Sequence, residues 1–139
     1  MRKLYFIFLF VLGNSFASFA NPSAILGKWL TQIKDAKIEI YQRDMKFFGR
    51  VVWLAEPKDE EGRPKVDENN PNAKLRTRPV LNMDILTGFS YDDGEWTGGI
   101  IYDPKDGASY ECKLWLDQGN LMVRGYLGWL YDTKTWTKA

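Results

Sequence analysis

The stretch YDDGEWTGGIIYDPKDGASYECKLWLDQGNLMVRGYL, residues 91–127, decides the fold. Runs with period-two alternation are cut at short intervals by Asp92-Asp93-Gly94, Pro104-Lys105-Asp106-Gly107 and Gln118-Gly119-Asn120. Asp-Gly and Gly-Asn pairs supply the positive backbone angles that tight hairpins require. Strands are therefore expected at 95–103, 109–117 and 121–127, each antiparallel to the last.

The same grammar extends outward. Residues 131–138 make a final strand. Upstream, residues 27–31 open the set, followed by 36–43, with Ile38 and Ile40 facing in and Lys37, Glu39 and Tyr41 facing out. Asp44-Met45 turns the chain into 46–54, where Phe47, Gly49, Val51 and Trp53 are expected to share one face and Arg50 marks the wet one. Pro22 to Leu26 is compatible with one helical turn. Between 55 and 78 the pattern breaks into a polar, proline-punctuated stretch, and loops of that length in compact domains are usually functional or disordered. Strand signals resume loosely over 79–89, where a short helix is the alternative.

About eight strands joined mainly by short turns form an up-and-down meander. A flat sheet of that size exposes two edges and an apolar face, whereas closure removes both. The expected class is all-β, a small antiparallel up-and-down β-barrel, with a two-sheet sandwich as runner-up.

The first twenty residues read as a targeting signal. Arg2 and Lys3 precede the apolar run from Leu4 to Leu12, and Ser18-Phe19-Ala20 places small residues at a cleavage site. The run is too short to span a bilayer comfortably. The expected mature domain is thus a single unit, 21–139, periplasmic or secreted, with no membrane span after cleavage. The chain carries 19 basic and 18 acidic residues, and losing Arg2 and Lys3 leaves 17 against 18. Near-neutrality recommends neither nucleic acid nor an anionic membrane as partner.

There is no histidine, which removes histidine metal ligands and the histidine-assisted nucleophiles. Cys112 is the only cysteine, so no intrachain disulfide forms. Tyr110 and Leu114 share its strand face, which favours burial. Stability must then come from packing, with six tryptophans prominent. Asp67-Glu68-Asn69-Asn70-Pro71-Asn72 is rich in oxygen donors but lacks calcium-loop spacing, and turn or cap chemistry is the expected role. Asp92, Asp93, Asp103, Asp106 and Asp117 fall in or beside turns, where Asp is ordinary. No nucleophile-elbow or phosphate-loop motif occurs. No enzyme, metal or cofactor is expected.

Gly27-Lys28-Trp29 resembles the Gly-x-Trp signature at the start of the lipocalin barrel. A longer series, Gly49-Arg50-Val51-Val52-Trp53-Leu54, Arg76-Thr77-Arg78-Pro79, Trp96 to Pro104, Gly107 with Tyr110, and Arg124-Gly125-Tyr126, is similar to the bacterial family called domain of unknown function 2147. The likeness covers essentially the whole mature chain. It implies an exported, lipocalin-like barrel with no established activity and no catalytic residues to carry over. Asn82 stands where that family often has glycine. Lipocalins also pack a late arginine on the signature tryptophan, and Arg124 is the candidate to cover Trp29.

Trp53, Trp96, Tyr102 and Tyr110 are expected inside the barrel, either lining a ligand cavity or filling a solid core. Arg76 and Arg78 suit the carboxylate or phosphate of an amphiphile at the mouth, unless they pair internally with Asp67, Glu68 or Asp84. The functional expectation is a carrier or sensor of a small hydrophobic or amphiphilic molecule. The alternative is a protein-interaction module using the 55–78 loop and exposed aromatics such as Trp129.

Overall fold

The computed structural model describes residues 21–139; the expected signal segment, residues 1–20, lies outside the described residues. A short 3-10 helix, Pro22–Ile25, leads into eight antiparallel strands: β1 Gly27–Leu30, β2 Ala36–Arg43, β3 Lys46–Leu54, β4 Asp84–Asp92, β5 Glu95–Asp103, β6 Ala108–Asp117, β7 Asn120–Leu127 and β8 Leu130–Lys138. Each strand pairs with the next, and β8 returns to β1 through Trp29 with Lys138 and Leu30 with Thr137, closing the barrel. Closure satisfies the edge groups that an open meander would expose.

One end of the barrel is solid. Ile25, Trp29, Phe47, Phe89, Trp96, Leu114 and Leu121 are almost fully buried there. Each such side chain contributes roughly 1.5–3 kcal/mol by leaving water. A buried indole N–H also needs an acceptor. Trp29 donates Nε1–H to the Ile25 carbonyl at 2.9 Å, and Trp96 donates its own to the Pro22 carbonyl at 3.1 Å. Both tryptophans thereby tie the 3-10 segment across this end as a floor. The Phe47 and Trp96 rings meet edge-on, with centroids 6.3 Å apart. Gly99 sits directly under Phe89, and a methyl group there would lie 2.5 Å from the ring.

Two of the barrel's register shifts re-aim aromatics expected inside. Ile38 pairs with Val51 but Lys37 pairs with Trp53, so Val52 is an extra residue on β3. One inserted residue inverts every later position on its strand. Trp53 is accordingly turned outward, 41% exposed, with the Lys37 ammonium 5.0 Å from its ring, and Leu54 takes the inner place. The expectation of Trp53 inside is corrected on this point. On β5 the register shifts again between Trp96 and Gly99. Trp96 and Ile101 therefore face in, while Tyr102, expected beside Trp96, pairs with exposed Ser109 and turns to the long loop.

The loosely signalled strand over 79–89 begins later, at Asp84, because the chain reaches it through an irregular arm. Val51 donates its N–H to the Met83 carbonyl at 2.9 Å, and Asn82 donates to the Val51 carbonyl at 2.7 Å. Asn82 has φ 70°, a left-handed conformation that Asn tolerates better than most residues, where the resembled family often has glycine.

Candidate ligand-binding site

The opposite end of the barrel is open. Four connections surround it: residues 31–35, 55–83, 104–107 and 128–129. Between them a cavity of about 1220 Å³ runs into the barrel. Its inner wall is apolar, made by Ile38, Val51, Ile85, Ile101, Val123 and Trp136. Gly125 also lines it, and a Cβ there would meet nothing closer than 3.7 Å. The volume exists because these side chains are medium-sized or absent, while the large rings are concentrated at the floor.

The long connection forms one wall of the mouth. Its arms pair with each other, Asp67 N–H to the Arg78 carbonyl at 2.9 Å and Val80 N–H to the Lys65 carbonyl at 3.0 Å. Asp67 is the hub. Fully buried, its carboxylate accepts from the Tyr102 hydroxyl at 2.6 Å, Asn70 Nδ2 at 2.8 Å, Arg78 Nε at 3.0 Å and the Arg78 guanidinium terminus at 2.9 Å. Burial pushes the Asp67 carboxyl up, but these hydrogen bonds and the Arg78 charge outweigh it and hold it below its ordinary value. Burial, together with the bond to Asp67, pushes Tyr102 up to about 12. The same wall locks onto the β5–β6 turn. Asn69 donates to the Pro104 and Lys105 carbonyls, and Gly107, at φ 72°, leaves room for the Asn69 carbonyl where a Cβ would collide.

Across the mouth, Lys105 donates to Asp35 at 2.7 Å, joining the β5–β6 turn to the β1–β2 turn, which lies opposite it around the barrel. Burial raises the Asp35 carboxyl, yet bonds from Lys105 and Thr31 leave it below its ordinary value. Tyr110 donates to Asp106 at 2.6 Å, a bond that raises its own pKa. On β8, Lys134 pairs across to inward Val123 and holds Asp132 at 2.9 Å, so this ion pair lies on the cavity side.

The family model described as an uncharacterized protein conserved in bacteria (DUF2147) matches residues 27–138. The chain belongs to this family. Among solved structures, it is similar to protein HP1028 from Helicobacter pylori, described as belonging to the lipocalin family. The identity is 23%, covering 83% of this chain and 82% of that one, with a TM-score of 0.71. At that identity the likeness shows the fold. No curated protein matches the chain.

Within this DUF2147 barrel the expected residues separate into groups. Tyr110 and Tyr102 border the cavity, the latter where the long loop meets β5. Trp96 belongs to the floor and lines no part of the cavity. Trp53 is outside. Arg78 is engaged by Asp67, and Arg76 donates Nε–H to the Asn70 carbonyl at 2.8 Å; neither lines the cavity. Arg78 thus takes the internal alternative with Asp67, while Arg76 pairs with none of the expected acids and is held by a backbone carbonyl; with both outside the cavity lining, the head-group role expected for them is corrected. Gly27 and Trp29 stand at the entry of β1, with Trp29 buried as expected. Arg124 does not cover it. Arg124 lies on the outer face of β7, bonded to Thr133 Oγ1 at 2.8 Å and stacked on Trp115 and Tyr131. Asn70 and Asn72 accept backbone N–H groups two residues on, the turn role expected of them.

Trp136, Lys134, Asp132, Asp35 and Lys105 were not singled out by sequence. Period two from Trp136 does place Lys134 and Asp132 inward, a legible signal. The Asp35–Lys105 contact spans 70 positions and leaves no local trace.

Proposed function

We propose that this chain is a binding protein acting outside the cytoplasm, holding one small, largely apolar molecule in the open half of its barrel. The observation that carries the reading is the cavity of about 1220 Å³ with an apolar inner wall, set above a floor that is fully packed. Concave apolar sites with a few polar groups at the rim are the usual form of small-molecule pockets. Export is supported by Arg2, Lys3, the Leu4 to Leu12 run and Ser18-Phe19-Ala20.

Binding is favoured over catalysis by how the reactive groups are used. Burial pushes the Cys112 thiol up to about 12, far from a nucleophilic thiolate. Asp67, Tyr102 and Arg78 are consumed by one another, and the chain has no histidine.

The test is native mass spectrometry of protein recovered from its own cell envelope, paired with Gly125→Leu. The leucine side chain would occupy cavity space without a clash at Cβ. A co-purifying small molecule, absent from the folded variant, is the expected result. Uptake unchanged in Gly125→Leu would contradict a ligand in the barrel. The interaction-module alternative has one observation in its favour. Trp129 is 88% exposed at the β7–β8 hairpin tip, beside exposed Leu127, Leu130 and Tyr131. Trp129→Ala abolishing association with a protein partner while sparing ligand uptake would separate the two roles.

A further inference from the structure

The charges around this cavity bear on which amphiphile it would accept, an inference that rests on the cavity reading above. Seven carboxylates and four lysines line the cavity, with no arginine, a net charge of −3. Three of the lysines are already occupied: Lys105 by Asp35 at 2.7 Å, Lys134 by Asp132 at 2.9 Å and Lys65 by Glu56 at 3.8 Å. The fourth, Lys34, is exposed on the β1–β2 turn, opposite the β5–β6 turn around the barrel. A carboxylate seated away from Lys34 would have to displace a protein carboxylate from its partner, or sit against like charge. On the acidic side, Asp59 is held by Arg63, but Glu68, Asp103 and Asp106 have no cation within ion-pair distance among the described residues. Glu68 is on the long loop, Asp103 ends β5 and Asp106 is in the β5–β6 turn, to which Asn69 binds the loop. Tyr110, bonded to Asp106, and Ile101 carry the wall from these carboxylates toward the apolar interior.

We propose that the cavity selects apolar molecules bearing a protonated amine over those bearing a carboxylate. The apolar body lies against Ile38, Val51, Val123 and Trp136, and the ammonium group sits at the rim by Asp103 and Asp106. Tyrosine faces favour a cation at the same place. Juxtaposed like charges at a recognition surface are strongly disfavoured, which works against the carboxylate.

Three probes of equal chain length test this: dodecylamine, dodecanol and dodecanoate, each below its micelle concentration, titrated against tryptophan fluorescence at neutral pH and low salt. Trp136 on the cavity wall is the reporter. The expected order is amine, alcohol, carboxylate, with amine and carboxylate separated by about tenfold or more, the equivalent of about 1.4 kcal/mol. The separation narrows with added salt and in the Asp103→Asn, Asp106→Asn double variant. If the alcohol binds but the carboxylate binds as tightly as the amine, the charge selectivity is overturned while the cavity reading stands. If not even the alcohol binds, the cavity reading fails and the proposal with it. The wild-type comparison decides without the variants.

Discussion

Replacing Asp67 with alanine removes the carboxylate about which the long loop folds onto the barrel. Four hydrogen bonds end on it, from Tyr102, Asn70 and twice from Arg78. Deleting one partner of a buried charge pair costs about 3–5 kcal/mol when the other stays buried. Here the relief is partial, since the Arg78 side chain is 37% exposed and Tyr102 borders an open cavity, so both have a route to water. The expected loss is therefore about 2–3 kcal/mol, with each orphaned group adding on the order of 1 kcal/mol or more. Urea unfolding followed by tryptophan fluorescence gives the magnitude. Hydrogen exchange gives the place. The Val80 amide, bonded to the Lys65 carbonyl, should lose protection, while amides of the β6–β7 ladder keep theirs. A loss below about 1 kcal/mol with Val80 still protected would refute the hub.

Alkaline pH should weaken the same hub. Tyr102 is raised to about 12 in the folded chain against 10.0 in its absence, so its contribution is complete below pH 10.0 and is lost as pH rises to about 12. Tyr102→Phe should abolish that part of the alkaline transition. Acid acts on Asp67 in the opposite sense: its depressed value stabilises the fold above 3.8 and is lost as pH falls through the folded value. Gly99→Ala should destabilise by about 1–3 kcal/mol through overpacking against the Phe89 ring, measured by thermal unfolding, and an unchanged midpoint would deny the tight floor. The Cys112 thiol should resist a soluble disulfide reagent at mildly alkaline pH until the chain is unfolded, and prompt reaction of the folded protein would show that the strand face is accessible.

Much of the barrel was legible because its turns carry their own chemistry. Asp92-Asp93-Gly94 and Gln118-Gly119-Asn120 are true hairpin tips, with Gly94 and Gly119 at φ 84° and 80°. The start of β4 was obscure because it is reached through Asn82 and Met83, which pair with β3 outside regular register. The two misplaced aromatics share one cause. An extra residue at Val52, and the shift between Trp96 and Gly99, each exchange inner and outer faces, and strict alternation carried past those points puts Trp53 and Tyr102 on the wrong side. Gly98, at φ 76°, marks the second shift, while Val52 has no such mark. Arg76 and Arg78 were legible as a functional pair or an internal one; Asp67, eleven positions away across a folded loop, decides for Arg78, and the Asn70 carbonyl holds Arg76. The cavity itself was beyond alternation, because emptiness depends on how far Ile38, Val51 and Val123 fall short of one another across the barrel.

The most direct measurement is methyl-resolved nuclear magnetic resonance of the protein titrated with dodecanol. Ile38, Val51, Ile101 and Val123 line the cavity, and Ile25, Leu114 and Leu121 pack the floor. The account predicts saturable shifts in the first set, with the second nearly still. Shifts confined to exposed methyls outside the cavity lining, such as Leu26 and Leu75, or no saturable change at all, would contradict a ligand-holding barrel.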